Sequence, residues 1–365
     1  MKTYKIALYP GDGIGQEVVP ETVRILEGVA KSGGFALEFT TFPWGADYHD
    51  QHGVVAAENY LDQLRPFDAI FLGAVGHPGR LPDHVTLAPL VTLRQSFDQY
   101  VCIRPARLYD GVESPLRDAP RIDMIVLREN SEGEYIPIGG HYRRGRPDEI
   151  AVQTAVHSRR GIERILKFGF EMARKRRGRL TMITKSNALR YGYVLWDDVL
   201  EEMRGDFSDV ETDRQHADAA AMDLVRRPEH YDVIVASNLF GDLLTDLSGA
   251  ICGGLGLAPS ANIDPDRRYP SLFEPVHGSA PDIIGKGIAN PVAAILSAAM
   301  MMEWLGEDTA ASSIRQAVEA VLRSGAATPD LGGKLTTTEM ADRVLAGLKD
   351  RDGGPRAGPI SGLRL

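Results

Sequence analysis

Strand-like apolar runs that alternate with helical patterns constrain this chain more than any other feature of its sequence. Residues 4–9 predict a first strand, followed by a glycine turn and a helix over about 16–29. Residues 69–72 predict a second strand ending at Gly73 and Gly76, 123–128 a third, 180–184 a fourth and 232–236 a fifth. This alternation is the pattern of an α/β fold with a largely parallel sheet. Open α/β sheets bind ligands beyond the carboxyl ends of their strands, and three of these runs stop just before clusters of polar, chemically capable residues.

At 365 residues the chain is too long for one ordinary core, so two domains are expected. A formal net charge of −9 argues against a general nucleic-acid binder, but a few clustered arginines could still hold a small acid. Cys102 and Cys252 are far apart, which excludes a disulfide framework and a structural zinc site. The apolar start of the chain ends at Pro10, too early for a secretory segment. The longest apolar stretch, 289–305, is interrupted by Asn290, Pro291, Ser297 and Glu303, so no membrane span is expected. A cytoplasmic protein without a membrane or nucleic-acid partner follows. No internal repeat is found. The glycine- and arginine-rich segment after Tyr135, with the weakly alternating 150–154, predicts an extended arm or hairpin over about 136–154. The basic run 174–179 closes an amphipathic helix that begins near Arg159, where cations favour the helix dipole. The Gly/Pro/Arg-rich tail, 349–365, is expected to be flexible.

The strongest chemical signal is Phe240-Gly241-Asp242-Leu243-Leu244-Thr245-Asp246, directly after the fifth run. On a helix, Asp242 and Asp246 share one face with Cβ atoms about 5–6 Å apart. Two carboxylates that close invite a cation between them, and all-oxygen ligation favours Mg²⁺ or Mn²⁺ over zinc. The helix dipole alone also accounts for acids near a helix start. A third acid, Asp218, lies among small apolar residues. Arg94, Arg104 and Arg128 fall at or near the ends of elements, and guanidinium forks suit bidentate binding of carboxylates. Lys185 and Tyr135 both follow strand ends and are candidates for acid–base work. Each of these, taken singly, is more often a surface or structural residue.

Gly11-Asp12-Gly13-Ile14-Gly15 imitates a dinucleotide loop but lacks the G-x-G-x-x-G spacing, so it is a weak signal for pyrophosphate. The segment Glu274-Pro275-Val276-His277-Gly278-Ser279-Ala280-Pro281-Asp282 is a better candidate for cofactor contact. Gly285-Lys286-Gly287 lacks the rest of a phosphate-transfer loop.

Together these segments resemble the β-decarboxylating dehydrogenases of isopropylmalate, isocitrate, D-malate and tartrate. The resemblance runs from Gly11 to about Ala346 and is most specific at 128–135, 238–246 and 273–291. It implies a two-domain α/β fold with a largely parallel mixed sheet that is not a standard Rossmann fold. A cofactor-side domain, 1–98 and 255–365, would carry both termini, and 99–254 would carry the dimer contact and the metal and substrate groups. It further implies a homodimer whose active site is shared between subunits. Carried over residue by residue, Asp242, Asp246 and the other subunit's Asp218 would hold Mn²⁺ or Mg²⁺, with a need for a monovalent cation such as K⁺ left open. Arg94, Arg104 and Arg128 would clamp the substrate carboxylates, and Leu87 and Leu90 would face its variable group. Tyr135 and Lys185 would form the acid–base pair. Glu274, His277, Gly278, Ser279, Ala280, Asp282 and Asn290 would contact the cofactor.

NADP-using relatives carry lysine and tyrosine where this chain has Asp282-Ile283, and a carboxylate repels a 2′-phosphate. At ~4 Å and an effective dielectric of 20 that repulsion is about 4 kcal/mol, and half of it is still roughly a thirtyfold preference for NAD. The strings 82–84 and 97–101 resemble the tartrate and D-malate branch, although Cys102 departs from the asparagine often found there. The expected reaction is oxidation and oxidative decarboxylation of small 2-hydroxy diacids, D-malate giving pyruvate and CO₂. A 3-isopropylmalate dehydrogenase and a non-catalytic regulatory subunit are the competing readings.

Overall fold

The computed structural model describes residues 1–349. Its strands are β1 (Thr3–Gly11), β2 (Ala36–Thr41), β3 (Ala69–Ala74), β4 (Val101–Arg107), β5 (Asp123–Glu129), β6 (Gly139–Tyr142), β7 (Ile150–Gln153), β8 (Arg179–Thr184), β9 (Glu211–His216), β10 (Val233–Ala236), β11 (Pro259–Ile263) and β12 (Ser271–Pro275). Ten of them form one sheet in the order β2-β1-β3-β12-β11-β4-β5-β10-β8-β9. Its three central pairs, β12/β11, β11/β4 and β4/β5, are antiparallel, and every other neighbouring pair is parallel. The sheet is therefore mixed and largely parallel, as the resemblance implies, and its antiparallel middle separates it from a standard Rossmann fold. The first half of that order comes from the two ends of the chain and the second half from its middle.

All five runs read from the sequence are strands. They are apolar almost throughout, rather than alternating, because helices cover both faces of the sheet; Ile70, Phe71, Val126, Val233 and Ile234 are all fully buried. The first helix spans Gly15–Gly33, longer at both ends than expected, and stops at Gly34, whose φ of 73° is the left-handed turn that glycine adopts at low cost. The long apolar stretch in the C-terminal half becomes the helix Val292–Trp304, buried on every side. Among the described residues no helix is long and apolar enough to cross a membrane. Both cysteines are free and buried.

Strands β6 and β7 form a separate hairpin outside the main sheet, with every residue exposed. Ile138, Tyr142, Ile150 and Val152 in this arm are more than half exposed, an unusual concentration of apolar surface. One residue of the basic run does more than favour a helix dipole. The Arg176 side chain is only 5% exposed, donating to Asp232 at 2.7 Å and to Asp123 at 2.8 Å. Asp232 immediately precedes β10 and Asp123 opens β5; Asp232 is fully buried, so it requires a cation beside it. The tail 350–365 lies outside the described residues.

Candidate active site

Two features of local sequence build the site. Arg104 and Arg128 project from β4 and β5, paired antiparallel so that Cys102 faces Arg128 and Arg104 faces Val126. The helix Asn238–Ile251 then crosses beneath them after β10. Its Gly241 allows the close approach, since a Cβ there would sit 2.6 Å from the Cβ of Arg128. The next residue, Asp242, consequently reaches into the arginines.

Asp242 Oδ1 accepts from Arg104 Nη1 at 3.2 Å and from Arg128 Nη1, and its Oδ2 accepts from the Tyr135 hydroxyl at 2.8 Å. Arg94, at the end of the helix Ala88–Ser96, donates to Glu274 Oε1 at 2.5 Å, and Asn262 donates to the same oxygen at 2.7 Å. All three arginines are nearly buried, at 8, 7 and 1% exposure for Arg94, Arg104 and Arg128. Three buried cations this close require counter-charges, and Asp242 and Glu274 provide them.

These residues line one cleft of about 240 Å³. Its polar lining includes Arg94, Arg104, Arg128, Tyr135, Asp242, Asp246 and Glu274, its apolar lining includes Leu72, Leu87, Leu90 and Val91, and His277 and Gly278 line it as well. Burial opposes the ionisation of Asp242, but Arg128 and then Arg104 outweigh it and hold the carboxyl below its usual range. Burial, with the neighbouring Asp242 charge and hydrogen bond, pushes the Tyr135 phenol up to about 12. Asp246 is exposed at the cleft and has no hydrogen-bond or ion-pair partner among the described residues. The protein packed around it raises its carboxyl, Arg104 pulls it back, and Asp242 raises it further.

Lys185 and Asp218 are not among the residues lining this cleft. They pair with each other at 2.7 Å, with Asp218 largely exposed. Among the described residues no group of three or more His, Cys, Asp or Glu side chains could hold a metal ion. One chain thus brings together Asp242 and Asp246 but not Asp218.

The expected cofactor residues divide. His277 Nδ1 pairs with the carbonyl of Gly278, while its Nε2 is buried without a partner. Ser279 offers its carbonyl to the amide of Ile14 at 3.0 Å, and Ala280 adopts a left-handed φ of 44°. Asp282 is exposed. Asn290 is buried and engaged by the Val292 amide and by Asp330. Glu274 is engaged by Arg94 and Asn262, a pairing the sequence reading did not foresee. The loop 11–15 turns inward: a Cβ on Gly11 or Gly13 would lie 1.9 or 2.2 Å from the carbonyl oxygens of Ala74 and Ser279. Asp12 fixes this loop by accepting from the amides of Ala46 and Gly76 at 2.7 and 2.8 Å. These glycines meet protein backbone, in keeping with their poor dinucleotide spacing. Asn238 was missed as well; its signal was its position one helical turn before Asp242.

The sequence profile described as isocitrate/isopropylmalate dehydrogenase matches residues 5–344. A probable tartrate dehydrogenase/decarboxylase of Bacillus subtilis (strain 168) is 46% identical over 96% of this chain and 99% of its own length. The D-malate dehydrogenase (decarboxylating) of Escherichia coli (strain K12) is 47% identical, covering 94% of this chain and 98% of its own. Among solved structures, the isocitrate dehydrogenase from Methylococcus capsulatus superposes with a TM-score of 0.85 at 35% identity, over 95% of this chain and 99% of that one.

Proposed function

Because the chain belongs to the isocitrate/isopropylmalate dehydrogenase family, we propose that it oxidises and decarboxylates D-malate and tartrate, using NAD and Mn²⁺ or Mg²⁺, as a homodimer with shared active sites. One observation carries this reading: Asp242 is clasped by Arg104, Arg128 and Tyr135 inside a cleft that also holds Arg94 and Asp246.

The donors fit a hard cation, since Asp246 lines the cleft beside Asp242 with no partner among the described residues, and the two offer only oxygen ligands. Asp242 and Asp246 would hold the ion with the partner subunit's Asp218. The buried Nε2 of His277, which lines the cleft and has no partner among the described residues, fits a hydrogen-bonding cofactor. When bound, the divalent ion supplies Lewis acidity at the hydroxyl-bearing carbon and NAD supplies the hydride acceptor.

The protein's own groups complete the reaction. Arg94, Arg104 and Arg128 bind and orient the two carboxylates. Lys185 of the partner subunit, as the neutral amine, takes the hydroxyl proton as C2 becomes a ketone. Loss of the β-carboxylate as CO₂ leaves an electron pair on C3, and Tyr135, kept protonated by its raised pKa, donates the proton there.

The division into 1–98 with 255–365 and 99–254 accords with the order of the sheet and sets the cleft at the seam. Homodimerisation is supported by the exposed apolar residues Leu189, Met222, Val225 and Leu243, close in sequence to Lys185, Asp218 and Asp242, together with the exposed apolar residues of the arm. The apolar wall of Leu72, Leu87, Leu90 and Val91 favours 3-isopropylmalate as a second reading. A spectrophotometric panel of D-malate, L-malate, the tartrates, isocitrate and 3-isopropylmalate, each with NAD and NADP, separates the two. Fast turnover of D-malate and tartrate with NAD is expected; fast turnover of 3-isopropylmalate alone contradicts the assignment.

A further inference from the structure

We infer that Asn238 is a positioning residue that turns the Arg128 guanidinium so that its terminal fork is left for a substrate carboxylate; this rests on the carboxylate-clamp reading above. Asn238 Oδ1 accepts from Arg128 Nε at 2.9 Å and from Nη2 at 2.7 Å. Its Nδ2 donates to the carbonyl of Glu132 at 2.9 Å. The orientation of the amide is dictated by its partners, because a guanidinium only donates and a carbonyl only accepts. Asn238 is itself nearly buried, at 3% exposure.

A guanidinium has five N–H groups. In Arg128 the Nε group and one on Nη2 go to Asn238, and one on Nη1 goes to Asp242. One N–H on Nη1 and one on Nη2 remain for a carboxylate, the group whose two oxygens a guanidinium can bind together. Asn238 and Asp242 lie one turn apart on the same helix, so a single element holds the guanidinium from two sides. The same amide also ties that helix, through the Glu132 carbonyl, to the loop bearing Tyr135. Arg128 lies beneath that tyrosine, its guanidinium carbon 5.2 Å from the ring centroid. Without Asn238, the side edge of Arg128 would be buried without an acceptor and would turn toward the carboxylate site. The fork would then be misaligned.

The test compares the full-length parent with Asn238→Ala, Asn238→Asp and Arg128→Ala, each with Mn²⁺ present. Calorimetric binding of D-malate is measured together with the KM values for D-malate and NAD and the melting temperature. Asn238→Ala is expected to weaken D-malate binding and raise its KM at least tenfold, with the NAD KM within twofold. Asn238→Asp keeps the oxygen acceptor for Arg128 but loses the donor to Glu132, and is expected to bind D-malate at least fivefold more tightly than Asn238→Ala. Equal losses in both variants would assign the effect to the Glu132 tie and overturn the proposal. So would Asn238→Ala binding within twofold of the parent while Arg128→Ala loses binding. If Arg128→Ala itself binds D-malate normally, the clamp reading fails first.

Discussion

The Tyr135 hydroxyl donates to Asp242 Oδ2 at 2.8 Å, so a proton donor and a charged carboxylate face the same cleft from two different elements. The phenol is pushed up to about 12 by burial and by that carboxylate, and therefore keeps its proton throughout the physiological range. General acid catalysis contributes typically ~10²–10⁴-fold. Tyr135→Phe should accordingly lower turnover of D-malate by about 10²-fold or more, with the KM for D-malate changed only a fewfold, because the arginines remain in place. Steady-state kinetics checks this. A loss of less than threefold in turnover would remove Tyr135 from the chemistry.

Asp246 has no partner among the described residues, and its carboxyl is raised, so its ionised form opposes folding. Asp246→Asn should leave metal-free stability unchanged or slightly higher. The parent should gain thermal stability with Mn²⁺, by ~2.7 kcal/mol at a hundredfold excess over its Kd, and the variant should lose that gain. Melting curves with and without Mn²⁺ decide it. An unchanged Mn²⁺ shift in Asp246→Asn would contradict the metal assignment.

Glu129 is a pH-linked element outside the proposed chemistry. It is 2% exposed, and burial raises its carboxyl from 4.5 to about 7 despite hydrogen bonds from the Ser131 hydroxyl and the amides of Glu132 and Ser131. A folded-state value above the unfolded one means that the folded chain binds the proton more tightly. The resulting stabilisation is complete below pH 4.5 and is lost as the pH rises through about 7. At 1.36 kcal/mol per pKa unit the full loss is roughly 3 kcal/mol. Chemical denaturation of the parent and Glu129→Gln at pH 5 and pH 8 should show the difference between them shifting toward the variant by about that amount. A difference independent of pH would show that Glu129 is not protonated at pH 5.

Much of this architecture was legible because the relevant signals are local. Buried strands such as β3 and β10 read as unbroken apolar runs, and Asp242 and Asp246 fall at helical spacing after one of them. What stayed hidden depends on contacts between distant segments. Nothing near Arg94 in sequence indicates that Glu274 neutralises it, and Arg176 reads as one more basic residue until β5 and β10 bring Asp123 and Asp232 beside it. Asn238 was in view within a motif. Its role emerged only when the helix came down on β5 at Gly241 and set the amide against Arg128.

The central claim is that each active site takes groups from two chains, and it is tested most directly by mixing two inactive variants. Lys185→Ala and Asp246→Asn homodimers each lack one necessary group at both sites. After subunit exchange at equal concentrations, half of the dimers are mixed and each mixed dimer carries one complete site. D-malate oxidation should recover to about a quarter of the parent rate, following from two-fold symmetry. No recovery, with mixed dimers demonstrated by native mass spectrometry, would contradict the account.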